Sequence, residues 1–140
     1  MPTEIELRCD TIEECYEFTL SYAARGMSSD EGSSAGKQIR SHLSRAVAAM
    51  RDLKACCAAA IAKEQLMPAE RYKAFFAVLA RDAECAAVAV ELVLAQPIIS
   101  SQLIDNMNAN IHLRALLTDL FLVTEILQLR QTQANTLASN

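Results

Sequence analysis

A chain of 140 residues with a net charge of −4 and 52% hydrophobic content is about one domain, large enough to bury a core without disulfide or metal staples. The acidic balance excludes a global electrostatic drive toward nucleic acid or anionic membrane, and the apolar runs fall short of the roughly 20 residues that cross a bilayer. With 5% aromatic residues and no Trp, the core must be built from Ala, Leu, Ile and Val, a helix-former's composition that points to an all-α fold.

The first ten residues, MPTEIELRCD, place acids where a signal peptide needs a basic and then an apolar region, so a soluble cytoplasmic protein is expected. Cys9, Cys15, Cys56, Cys57 and Cys85 are odd in number and show no C-x-x-C spacing. Reduced thiols are the expectation, with neither a disulfide framework nor a zinc site.

Residues 3 to 9 alternate Ile5, Leu7 and Cys9 with Glu4, Glu6 and Arg8, a period of two that predicts a short extended arm over residues 1–9. A first helix is then expected from Asp10 or Thr11 to about Arg25, ended by Gly26, with MSSDEGSS as a loop. The second helix, Ala35 to Lys63, carries Ile39, Leu43, Ala46, Met50, Leu53, Cys57 and Ala60 in alternating steps of four and three. The third, from Pro68 to about Ala95, repeats the pattern from Tyr72 and Phe76 to Val90 and Val93. Pro97 breaks the chain, and one long helix is expected from Ser100 to Leu129, followed by a frayed polar tail over residues 130–140. Short connections make neighbouring helices antiparallel. The predicted architecture is a single domain over 1–140, an antiparallel up-and-down four-helix bundle with an extended arm.

The long fourth helix shows two apolar stripes, one through Leu113, Leu117, Leu120, Thr124 and Leu127, the other through Ile104, Ile111, Ala115, Leu122, Ile126 and Leu129. The third helix has its own second stripe, Val78, Cys85 and Leu92, at intervals of seven. A bundle needs one stripe per helix, so Val78, Cys85, Leu92, Ile111, Leu122 and Ile126 are expected to form a homodimer interface.

Asn106 and Asn110 continue the core-facing stripe of the fourth helix, where two amides could line a pocket for a small polar ligand or specify register. Asp105, His112 and Asp119 align on one side of that helix, but steps of seven separate them by about 10 Å, too far to share a metal, so a solvated stripe is expected. Neither His42 nor His112 has the Glu three residues earlier that a ferritin-like di-iron site needs. GSSAGKQ, residues 32–38, has three residues between its glycines where a phosphate loop has four, and Gln38 where that loop has Ser or Thr. No catalytic residue, metal or cofactor is expected.

Ser34, Lys37, Arg40 and Arg51, with the loop 26–36, form the expected surface for an anion or a protein partner. On this reading Arg40 and Arg51 can be reversed to Glu without cost to folding, and nucleic-acid contact is not expected because no aromatic residues are interleaved. The functional expectation is a non-enzymatic interaction or regulatory module, homodimeric, with an unidentified protein partner. The competing expectation is a bundle that binds a small polar ligand near Asn106 and Asn110, with enzymatic activity.

Overall fold

Thr3 sets the start of the first helix. Its hydroxyl accepts the Glu6 amide at 3.1 Å, and the Glu6 carboxylate accepts the Thr3 amide at 3.1 Å, a reciprocal cap that satisfies two otherwise orphaned donors. In the computed structural model, which describes residues 2–139, α1 therefore spans Glu4–Ala24. The extended arm expected over residues 1–9 is not formed. Ile5, Cys9 and Ile12 are buried in steps of four and three while Leu7 is exposed, so the apparent alternation was the first turn of a helical stripe. α1 ends, as read, at Gly26, whose φ of +66° few other residues adopt.

α2 (Ser34–Lys63) starts behind Ser33, whose hydroxyl accepts the Gly36 amide at 2.9 Å. All seven residues of its heptad seam, from Ile39 to Ala60, are buried. A Cβ on Gly36 would lie 1.7 Å from the carbonyl oxygen of Asp30, because the preceding loop crosses directly over this turn. α3 (Ala69–Leu94) buries its seam from Phe76 to Val93 and leaves Tyr72 half-buried.

The fourth predicted helix is two helices, α4 (Ser101–Asn108) and α5 (Ile111–Ser139). Ser100 caps α4 by accepting the Leu103 amide at 3.0 Å. Asn110 caps α5 by accepting the amides of His112 and Leu113 at 3.0 and 3.3 Å. A short amide side chain competes for backbone donors, so Asn110 starts a helix where a core position was expected. The frayed tail is also corrected: α5 continues helical to Ser139, although its last fully buried residue is Leu127. Thr132 and Thr136 return their hydroxyls to the carbonyls of Gln128 and Thr132. Arg130 donates to the Glu64 carbonyl at 2.9 Å, satisfying an acceptor at the C-terminal end of α2.

The described residues thus form an all-α structure of five helices, none long and apolar enough to cross a membrane. α1 and α2 run in opposite directions, with Arg8 on Asp52 and Phe18 stacked on His42 at 4.4 Å. α2 and α3 do the same, with Arg40 at the Leu94 carbonyl and Arg51 on Glu84 and Glu91. On α5, Leu122 and Ile126 lie beside Tyr72 and Phe75 of α3, while His112 lies beside Val88 and Leu92. Leu43, Leu53, Leu79, Leu116 and Leu120 are fully buried at the centre, each stabilising the fold by roughly 2 kcal/mol through transfer from water. Asn110→Ala is expected to cost about 1 kcal/mol in urea unfolding through the lost cap, whereas Asn106→Ala, at an exposed position, should change stability by less than about 0.5 kcal/mol.

Candidate functional site

With Phe76 through Val93 turned inward, the opposite side of α3 presents Val78 (50% exposed), Val88 (59%) and Leu92 (66%) to solvent. α5 lies alongside and adds Ile111 (73%), Leu122 (53%), Leu129 (53%) and Ile126 (36%). Cys85 is half-buried between them in sequence and space, in a hollow with Val88, Leu92 and His112. A second apolar hollow, walled by Pro68, Tyr72, Phe75, Leu122 and Ile126 with Arg71 at its rim, lies at the other end of the same face. Of the residues read as second stripes, Val78, Cys85, Leu92, Ile111, Leu122 and Ile126 all have water access, whereas Ile104, on α4, is fully buried in the core.

Two acids break this apolar face at its middle. The carboxyls of Asp82 on α3 and Asp119 on α5 come together across the seam between the helices. Asp119 is half-buried, a correction to the solvated stripe, while Asp105 and His112 are exposed as read. Burial first, then the hydrogen bond to Asp82 and its charge, push the Asp119 carboxyl up to about 7. Asp119 Oδ2 is buried with no hydrogen-bond partner, which favours the protonated form of the carboxyl beside Asp82.

The basic side of α2 is used inside the molecule. Arg40 Nε donates to Asp30 at 2.6 Å, and its terminal nitrogens donate to the carbonyls of Leu94 at 3.2 Å, Gln96 at 3.0 Å and Pro97 at 3.3 Å. Asp30 is buried and also accepts the Ile99 amide at 2.7 Å, and the Arg40 hydrogen bond holds its carboxyl below the ordinary range. Tyr22 and Ser101 complete the network: the Tyr22 hydroxyl donates to the Ile99 carbonyl, and the Ser101 hydroxyl donates to the Tyr22 carbonyl. Arg51 bridges Glu84 and Glu91 of α3. Ser34 and Lys37 are exposed, and Ser34 accepts from Gln38. The structure does not gather these four residues into one open surface.

Nor does it bring the asparagines together over a core. Asn106 is exposed and Asn110 is occupied as a cap; the buried amide is Asn108, which no hollow described above borders. Burial pushes the thiols of Cys9, Cys15 and Cys57 up to about 12, far from the thiolate form a nucleophile needs. Among the described residues no group of three or more His, Cys, Asp or Glu side chains is placed to hold a metal ion. Asp30 and Asp82 escaped the sequence reading because their partners, Arg40 and Asp119, are set by a loop crossing and by the register between helices, neither of which has a local periodicity. No family model, curated protein or solved structure matches this chain.

Arg40→Glu is expected to cost at least about 2 kcal/mol in chemical denaturation, because it leaves Asp30 buried without its cation. Arg51→Glu, at a solvent-exposed site whose partners are exposed, should cost much less than Arg40→Glu in the same measurement. A carboxyl whose folded value lies above its ordinary 3.8 holds its proton more tightly in the folded chain, so its contribution is present in acid and is lost as the pH rises through about 7. Asp119→Asn should flatten that decline and be the more stable chain above about 7, as read by urea titrations across a pH series.

Proposed function

We propose that the chain is a non-enzymatic interaction module of the cytoplasm that acts as a homodimer through the outer face of α3 and α5. In this reading α1, α2, α3 and α5 make an antiparallel four-helix bundle, and α4 is the element that turns the chain from α3 into α5. The observation that carries it is the exposure of Val78, Val88, Leu92, Ile111, Leu122 and Ile126 on two adjacent helices, in two groups on either side of the Asp82–Asp119 pair. Exposed apolar residues scattered singly are ordinary, but several large ones on one pair of neighbouring helices are characteristic of association surfaces. The free cysteines, three of them held as neutral thiols in the core, suit a reducing compartment.

The reading gives the face its task by elimination as well. Of the three cations proposed from sequence, Arg40 and Arg51 are committed to Asp30, Glu84 and Glu91 within the chain, which leaves Lys37 alone exposed on that side. Light scattering on the purified protein at micromolar concentration is expected to return a dimer. Leu92→Glu combined with Leu122→Glu, both at exposed positions, should give a monomer with unchanged helical circular dichroism. A monomeric parent chain would count against the module's self-association.

A further inference from the structure

The outer face of α3 and α5 has an apolar hollow toward each end, one bordered by Arg71 and the other by Glu84 and His112, and a charged group at its centre. Arg81 and Asp82 are consecutive on α3, so their side chains leave the helix about 100° apart. Asp82 turns toward α5 and meets Asp119, whereas Arg81 is exposed on the outward ridge, in line with Val78, Cys85 and Val88. Arg81 has no ion-pair partner among the described residues. No cation is among the groups that act on Asp119. The middle of the face therefore carries a cation without a partner and an acid pair with no cation on it at the same height, directed so that they do not meet within one copy.

We propose that a second copy of this chain covers the face about a two-fold axis parallel to the helices, so that Arg81 of each copy meets the Asp82–Asp119 pair of the other. This rests on the homodimer reading above and specifies the contact that sets its register. An axis running across the helices at the height of Arg81 would instead stack α3 on α3 and bring the two Arg81 side chains together, which like-charge repulsion disfavours, and at any other height it takes Arg81 away from the acid pair. An axis along them lays α3 of one copy over α5 of the other and makes the charge contact twice.

The apolar residues agree with this register. Asp82 and Asp119 are level, and α3 and α5 run in opposite directions. Moving four residues back from Asp82 reaches Val78, and moving three on from Asp119 reaches Leu122. In the other direction, three residues on from Asp82 is Cys85 and four back from Asp119 is Ala115; ten on is Leu92 and eight back is Ile111. At 1.5 Å per residue these pairs are level to within about 3 Å, so seating Arg81 on the acid pair also seats Val78 over Leu122, Cys85 over Ala115 and Leu92 over Ile111 of the second copy. Packing within one copy does not require that match, because Val78, Leu92, Ile111 and Leu122 all point to solvent.

The test is a dilution series of the full chain followed by sedimentation or light scattering. The parent chain is expected to dimerise, and Arg81→Ala and Asp119→Asn should each raise the dissociation constant about tenfold or more. The double variant should be no weaker than the weaker single one, since either change already removes the shared contact. Asp82→Asn, at a half-buried position, serves in place of Asp119→Asn if circular dichroism shows the latter misfolded. Additive losses in the double variant, or Arg81→Ala dimerising as tightly as the parent, would overturn the Arg81 contact while leaving the homodimer standing. A monomeric parent would overturn both.

Discussion

The ion pair of Arg40 with Asp30 holds together the end of the molecule where the chain changes direction most often. A helix leaves its last carbonyls without partners, and α3 is followed by Pro97, which lacks an amide hydrogen to offer. Arg40, reaching across from α2, supplies donors to the carbonyls of Leu94, Gln96 and Pro97 with one side chain. Asp30 neutralises that guanidinium and fixes the amide of Ile99, so the α1–α2 loop and the α3–α4 connection share a single anchor. Burying a carboxylate is costly without such partners, and here hydrogen bonds to both its oxygens offset the desolvation. Gly36 is the steric condition for the arrangement, because any side chain there would collide with the backbone of Asp30.

Away from that end the packing is asymmetric in a way that bears on function. The inward side of α3 is rich in small residues, with Ala83, Ala86 and Ala87 all buried, while Val78, Val88 and Leu92 lie on its outward side. Small residues inside let α2 and α3 approach closely; α2 answers with Ala46, Ala49 and Ala60. Val78, Val88 and Leu92 are left where a solitary bundle would place charge. α5 shares the outward apolar residues, Ile111, Leu122 and Leu129, but buries leucines rather than alanines.

Legibility from sequence followed periodicity. The heptad of α2 and most of the seam of α3 could be read because steps of four and three over many turns have no competing interpretation. Residues 3 to 9 could be misread because Ile5 and Cys9 are spaced for a strand and a helix alike, and the Thr3–Glu6 cap that decides the matter lies outside any periodic pattern. The break between α4 and α5 was concealed for a related reason: Asn110 fits an apolar stripe by position, but its side chain serves the backbone of the next turn. The outward stripes on α3 and α5 were legible as a surplus of apolar faces. Asp82 with Asp119 and Asp30 with Arg40 were not, since each is made by elements distant in the chain.

The far end of α5 follows a different economy. Beyond Leu127, the last fully buried residue, the helix continues through Ser139, and residues 132–138 are all exposed. Twelve residues of helix rise about 18 Å, a length too short to hold its shape alone in water. Its order is inherited from the packed turns between Leu113 and Leu127, which act as a nucleus already formed. Opening therefore starts at the C-terminal end and travels inward one turn at a time, and amide exchange along α5 should form a gradient from Ser139 back to Leu127, while the core responds only to global unfolding.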